Sequence, residues 1–162
     1  MFKTKLDMSG LRELHKQLKD VKIKVGLPKG TPANKDGVSL IEIGAVQEFG
    51  SPAKNIPERS FIRIPLDNAK ADYFKFIKKQ GINILNGKQS TDDAIEKLGV
   101  WGQTVIKKSF TNNNWEANSD VTINGGWITS GGKSVYVKGK GSSRPLIDSG
   151  QLRQSISWQV VK

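Results

Sequence analysis

The sequence predicts an α+β domain in which a small mixed, mainly antiparallel sheet packs against two longer helices, with long Gly-rich loops joining the parts. Three observations carry that expectation. Apolar residues recur at steps of three and four through two long segments, 66–79 and 91–108. Short alternating stretches lie near both ends of the chain, at 21–25 and 156–160. Beyond Asn112 the chain turns polar and rich in glycine. Its 162 residues suit one core, so a single domain over 1–162 is expected.

Taken in order, Ser9 can cap a first helix whose Leu11, Leu14 and Leu18 form a narrow stripe. Val21, Ile23 and Val25 alternate with Lys22 and Lys24, as a half-buried strand requires, and Pro28 and Pro32 mark the loop that follows. Ser39 and Glu42 have capping-box spacing ahead of Ile43, Val46 and Phe49, and Gly50 stands where a helix ends. Residues 60–64 alternate as a short strand before Pro65. Leu66, Ala69, Tyr73 and Ile77 then follow a helical period that Gly81 and Gly87 weaken. A longer helix opens at Thr91, whose hydroxyl can cap it, with Asp92 and Asp93 at its positive end and Ala94, Leu98, Trp101 and Val105 as its stripe. Strand-like pieces at 121–123 and 135–137 can pair around the intervening loop. Asp148 or Ser149 can cap a turn through Leu152, and Ile156, Trp158 and Val160 alternate as the closing strand.

Composition removes several classes of chemistry. Without cysteine there is no disulfide, thiolate site or thiol nucleophile. No apolar segment approaches membrane length and the first residues have no signal core, so a soluble protein made in the cytoplasm is expected. A net charge of +11 favours polyanions or acidic protein surfaces. Residues 129–145 hold Lys133, Lys138, Lys140 and Arg144 with four glycines and no acid, the composition of a mobile basic loop.

Catalytic and cofactor signatures are weak. His15 has no Ser or Asp partner at a triad-like spacing, and Asp92 and Asp93, adjacent on a helix, point in different directions. Gly131-Gly132-Lys133-Ser134 matches the tail of a phosphate loop, but Trp127 stands where its first glycine belongs and a strand pattern follows instead of a helix. No metal-ligand spacing is present, so no cofactor, metal or catalytic residue is expected. Of the tryptophans, Trp101 and Trp158 read as core, whereas Trp115 and Trp127 flank the Gly-rich region and suit loop packing or a subunit interface.

Two blocks carry a resemblance. The first runs Ile43-Gly44-Ala45-Val46-Gln47-Glu48-Phe49-Gly50 and continues as Asn55-Ile56-Pro57-Glu58-Arg59-Ser60-Phe61-Ile62-Arg63. The second is Arg144-Pro145-Leu146-Ile147-Asp148-Ser149-Gly150-Gln151-Leu152-Arg153-Gln154-Ser155-Ile156. In this order, with helices between them, they resemble the bacteriophage virion-morphogenesis and tail-completion families, in which a Glu-Phe-Gly helix end and an Ile-Pro-x-Arg-x-Phe segment precede a Pro-Leu-Ile-Asp-Ser/Thr-Gly-x-Leu block. Gln47 stands where many relatives have histidine, and Glu58 where a small residue is common.

That resemblance implies a non-catalytic virion protein of the neck, where head joins tail. It implies a homo-oligomeric ring, sixfold rather than twelvefold, touching a head-tail connector on one side and a tail terminator or tail-tube protein on the other. It implies motif roles for Glu48, Phe49, Gly50, Pro57, Arg59, Phe61, Pro145, Leu146, Asp148, Gly150 and Leu152. The basic segment with Lys133, Lys138, Lys140 and Arg144 would meet connector acids or, nonspecifically, packaged DNA. The rival reading is a stand-alone basic nucleic-acid-binding module.

Overall fold

A 22-residue helix, α5 (Thr91–Asn112), is the axis on which the other elements are laid. The structure is a computed structural model that describes residues 8–34, 37–112, 115–130, 132–146 and 150–161. On α5 the buried positions Ala94, Ile95, Gly99, Gly102, Ile106, Ser109 and Phe110 recur at helical spacing and make one continuous inner face. Against it lies an antiparallel ribbon of β1 (Lys22–Gly26) and β4 (Ser157–Val161), in register from Lys22 opposite Val161 to Gly26 opposite Ser157. Small residues let helix and ribbon approach closely. A Cβ at Gly99 would fall 2.3 Å from the Trp158 ring, and one at Gly102 would fall 3.0 Å from Val25.

The other side of α5 receives α3 (Arg63–Asn68) and α4 (Lys70–Leu85). Trp101 lies 5.0 Å from the Tyr73 ring and is stacked at 6.4 Å on Phe76, tying α4 to α5 by aromatic contact. Helix α1 (Ser9–Leu18) buries no residue, and Thr91 Oγ1 donates to Gln17 Oε1 at 2.8 Å beside it. Helix α2 (Leu40–Phe49) begins at Ser39, whose hydroxyl accepts from the Glu42 N–H. A short helix, α6 (Asp120–Asn124), leads into a hairpin of β2 (Gly126–Ser130) and β3 (Lys133–Val137), and α7 (Gln151–Gln154) precedes β4. Leu40, Phe61, Ile106, Phe110, Leu152 and Ile156 form the core.

The chain is a mixed α+β fold with two longer helices, but its strands form two separate antiparallel ribbons, β1–β4 and β2–β3. Residues 60–64 are not a strand. Side chains from elsewhere satisfy the amides there, and α3 starts at Arg63, where Pro65 falls in a first turn that needs no donor from it. Residues 121–123 belong to α6, and the partner of β3 is β2. Helix α4 runs through Gly81 to Leu85, and a Cβ at Gly81 would meet nothing within 4 Å. The cap of α5 is Ser90: its hydroxyl accepts from the Asp93 N–H, and its own N–H donates to Asp93 Oδ2. Met8 occupies the cap position of α1, with Ser9 already helical. Gly150, at φ 72°, is the cap residue of α7, whereas Asp148 and Ser149 lie outside the described residues.

Within the basic segment 129–145, residues 129–130 and 133–137 are strand, and 138–145 lie outside helix and strand. Thr129 and Ser130 are in β2, and Lys133 is in β3. Past the hairpin, the Lys140 and Gly141 N–H groups donate to the Thr122 and Ile123 carbonyls at 2.9 Å each. Asn118 Nδ2 donates to the Ser142 and Arg144 carbonyls, and its N–H donates to that of Ser143. The backbones cross so closely that a Cβ on Gly139 would lie 2.5 Å from Gly125 N. Gly139 serves as a packing device, whereas a Cβ on Gly132 or Gly141 would meet nothing within 4 Å.

Candidate functional site

Glu48 sits near the end of α2, buried among apolar neighbours, because it faces the chain that returns beneath the helix. Its carboxylate collects four donors. Oε1 accepts from Ser60 Oγ at 2.6 Å and Arg63 N at 3.0 Å, and Oε2 accepts from Phe61 N and Ile62 N at 2.9 Å each. The Ile62 and Arg63 amides are among those that a helix beginning at Arg63 leaves unpaired, so a side chain of α2 caps α3 from outside. Ser60 Oγ also accepts from Ile64 N at 3.1 Å. No ion pair among the described residues involves Glu48; backbone dipoles and one hydroxyl hold it.

Next to it, Arg59 is buried and spans two distant parts of the chain. Its N–H donates to the Gln47 carbonyl at 2.7 Å and Nη1 donates to Gln47 Oε1 at 3.2 Å. Nε and Nη2 donate to the Glu116 carbonyl, and Nη2 also reaches that of Ala117. Burial lowers the affinity of this guanidinium for its proton, and nearby Glu116 partly offsets the effect. The arginine therefore fixes segment 115–119, from which Asn118 clamps residues 142–144.

The two sequence blocks meet at one point. A Cβ on Gly44 of the first block would lie 3.6 Å from both Phe61 Cζ and Leu152 Cδ1, the latter from the second block. Phe61 is fully buried with its ring 5.0 Å from Phe110, and its carbonyl accepts from Ser109 Oγ. Gly50, at φ 71°, cannot carry a side chain, because a Cβ would fall 2.9 Å from Glu58 N and 3.0 Å from the Ile56 carbonyl. Pro57 and Leu146 are half-buried beside this cluster, with Leu146 at φ 60°, an uncommon value for a branched residue. Pro145 is half-buried one residue earlier. Phe49 departs from the expected stripe: it is 68% exposed, and Leu40, Gly44 and Glu48 make the buried face of α2.

Three surface features surround this framework. On the β2–β3 hairpin, Trp127 is 70% exposed and Tyr136 57%, the two rings meeting edge to face at 5.6 Å. Exposed Lys133, Lys138, Lys140 and Arg144 follow along the same segment. A second feature is an apolar groove of about 460 Å³ between α2 and the β1–β4 ribbon, bounded by Leu27, Ile41, Phe49, Ile62 and Trp158. The third is a groove of about 500 Å³ on the α4–α5 face, floored by Phe76, Val100 and Trp101. His15 is exposed on α1, and no cluster of three or more metal-ligating side chains exists among the described residues. No helix among them is long and apolar enough to cross a membrane.

Sequence reasoning missed Ser60, Ser109 and Asn118, whose roles depend on partners 12, 48 and 24 to 26 residues away. The signal available for Glu48 was an acid one turn below an otherwise apolar helix face. Compared with protein-family models, curated proteins and solved structures, the chain shows no match.

Proposed function

We propose that this chain is a structural, non-catalytic subunit of a bacteriophage head-tail junction. Made in the host cytoplasm, it assembles into a ring, sixfold rather than twelvefold, around the DNA channel of the neck. One face of the ring meets the connector and the other meets a tail terminator or tail-tube protein. One observation supports this reading above others: the two blocks that resemble virion-morphogenesis proteins converge on a single polar and apolar framework at Gly44, Phe61 and Leu152. Residues that recur for folding reasons alone should do this. The framework also holds several dissimilar apolar surfaces outward, as a ring of identical subunits requires of its two unlike contacts.

The cations of 133–144 would then lie toward connector acids or DNA phosphate. Sedimentation and light scattering of the purified chain, with and without the connector, test this reading. A closed oligomer of defined stoichiometry is the expected result. A salt-dependent gel shift with short duplexes separates the rival: weak nonspecific binding fits a neck subunit, whereas sequence-specific binding by a monomer at physiological salt would replace this reading with a nucleic-acid-binding module.

A further inference from the structure

Among the described residues the β2–β3 hairpin leaves both of its faces exposed. Its principal contact is with α6, through neighbours such as Val121 against Gly126. Pairing of Trp127 with Tyr136 and of Ile128 with Val135 puts an apolar pair on each face of the ribbon. All four side chains are exposed, from 44% for Ile128 to 70% for Trp127. A two-stranded ribbon with both faces in water is marginal, and exposed apolar surface of this kind marks a contact site. The segment is also one-signed: no acid lies between 126 and 146, and Lys133 and Lys138 take part in no ion pair among the described residues.

The α4–α5 groove has the opposite character. Phe76, Val100 and Trp101 form its apolar floor and Thr104 closes one end, while Asp93 and Glu96 stand on its rim. Lys97, the one cation lining it among the described residues, donates its Nζ to Gln89 Oε1 at 2.6 Å and also acts on the Asp93 carboxylate, which leaves Glu96 as the better placed rim acid. Within a chain of net charge +11, residues 92–97 hold three acids and one base.

We propose that the Trp127–Tyr136 face of one copy's hairpin docks in the α4–α5 groove of a second copy, with Lys138, just past β3, reaching the Asp93 and Glu96 rim. The occupant is another copy of this chain because the two surfaces complement each other in both charge and aromatic character. The contact is heterologous, so repetition generates a ring or an open chain, and each subunit uses hairpin and groove once. It rests on the ring reading only in taking the partner to be identical.

The chain has no cysteine, so single thiols can be placed at will. Ser134→Cys, on the Trp127–Tyr136 face, and Thr104→Cys in the groove are mixed, one carrying a tag that changes its mass, and treated with a short bismaleimide. A covalent dimer of mixed mass is expected, with neither variant alone giving one. Lys138→Glu and Glu96→Lys should each raise the dissociation constant about tenfold, and the two together should recover most of the loss. Trp127→Ala, on an exposed side chain, should weaken association without moving the thermal midpoint of the monomer.

Defined oligomers that give no mixed cross-link would overturn the docking and leave the ring reading standing. A chain that stays monomeric at every concentration would overturn it too. Mixed cross-links in a protein that fails to join heads to tails would support the contact and remove the neck assignment.

Discussion

Replacing Glu48 by Gln changes one atom's chemistry in a buried site and nothing in its volume. An amide NH2 takes the place of one acceptor oxygen. Turned toward Phe61 and Ile62, it would strand two backbone N–H groups. Turned toward Ser60 and Arg63, it strands the Arg63 N–H and takes the acceptor from the Ser60 O–H, which as a free rotor can turn away and accept instead. The second arrangement is cheaper. A stranded buried amide costs about 1–3 kcal/mol, and the surviving bonds lose the extra strength of a charged acceptor, so the sum is about 2–4 kcal/mol. At roughly 2–4 °C per kcal/mol for a chain of this size, the thermal midpoint should fall by about 5–15 °C. Circular dichroism melts of Glu48→Gln beside Glu13→Gln, an exposed control on α1, measure it. An unchanged midpoint for Glu48→Gln would mean that the carboxylate does not organise the start of α3.

Three further outcomes follow from the same framework. Phe61→Ala removes a fully buried ring packed on Phe110 and should cost about 3–5 kcal/mol in urea unfolding; a loss under about 1 kcal/mol would take it out of the core. Arg59→Lys keeps the charge but loses the fork that spans Gln47, Glu116 and Ala117, so about 2–4 kcal/mol should be lost and proteolysis near 115–119 should quicken; wild-type protection would contradict the tether. Ser90 holds the Asp93 carboxyl below its usual range through its hydroxyl and N–H. A folded-state value below the unfolded one stabilises above the unfolded value and is lost as pH falls through the folded one, so Ser90→Ala should flatten the fall in midpoint between about pH 5 and pH 3. A parallel pH profile would refute that coupling.

Elements whose signals are local were legible in the sequence. The Val21, Ile23, Val25 alternation marks β1, the Ser39 cap marks α2, and the apolar period beyond Thr91 marks α5. Places where tertiary contacts decide the backbone were not. The alternation at 60–64 gives way because Glu48, twelve to fifteen residues earlier, offers acceptors that turn this stretch into a helix start. Residues 121–123 have a strand's composition, yet two of the carbonyls there are taken by the chain after β3. Phe49 was placed inside by its period, but Glu48 holds the buried position and leaves Phe49 outside. Of the glycines in 129–145, Gly139 packs against Gly125 where two backbones cross, a contact between distant segments that composition does not encode. The roles of Glu48, Arg59 and Phe61 depend on contacts between distant segments, which local pattern does not encode.

Head-tail joining tests the central proposal most directly. A phage unable to make this protein should accumulate DNA-filled heads and separate tails, and adding the purified chain to such an extract should restore joined particles visible by electron microscopy. Intact, infectious particles formed without it would contradict a structural role in the neck.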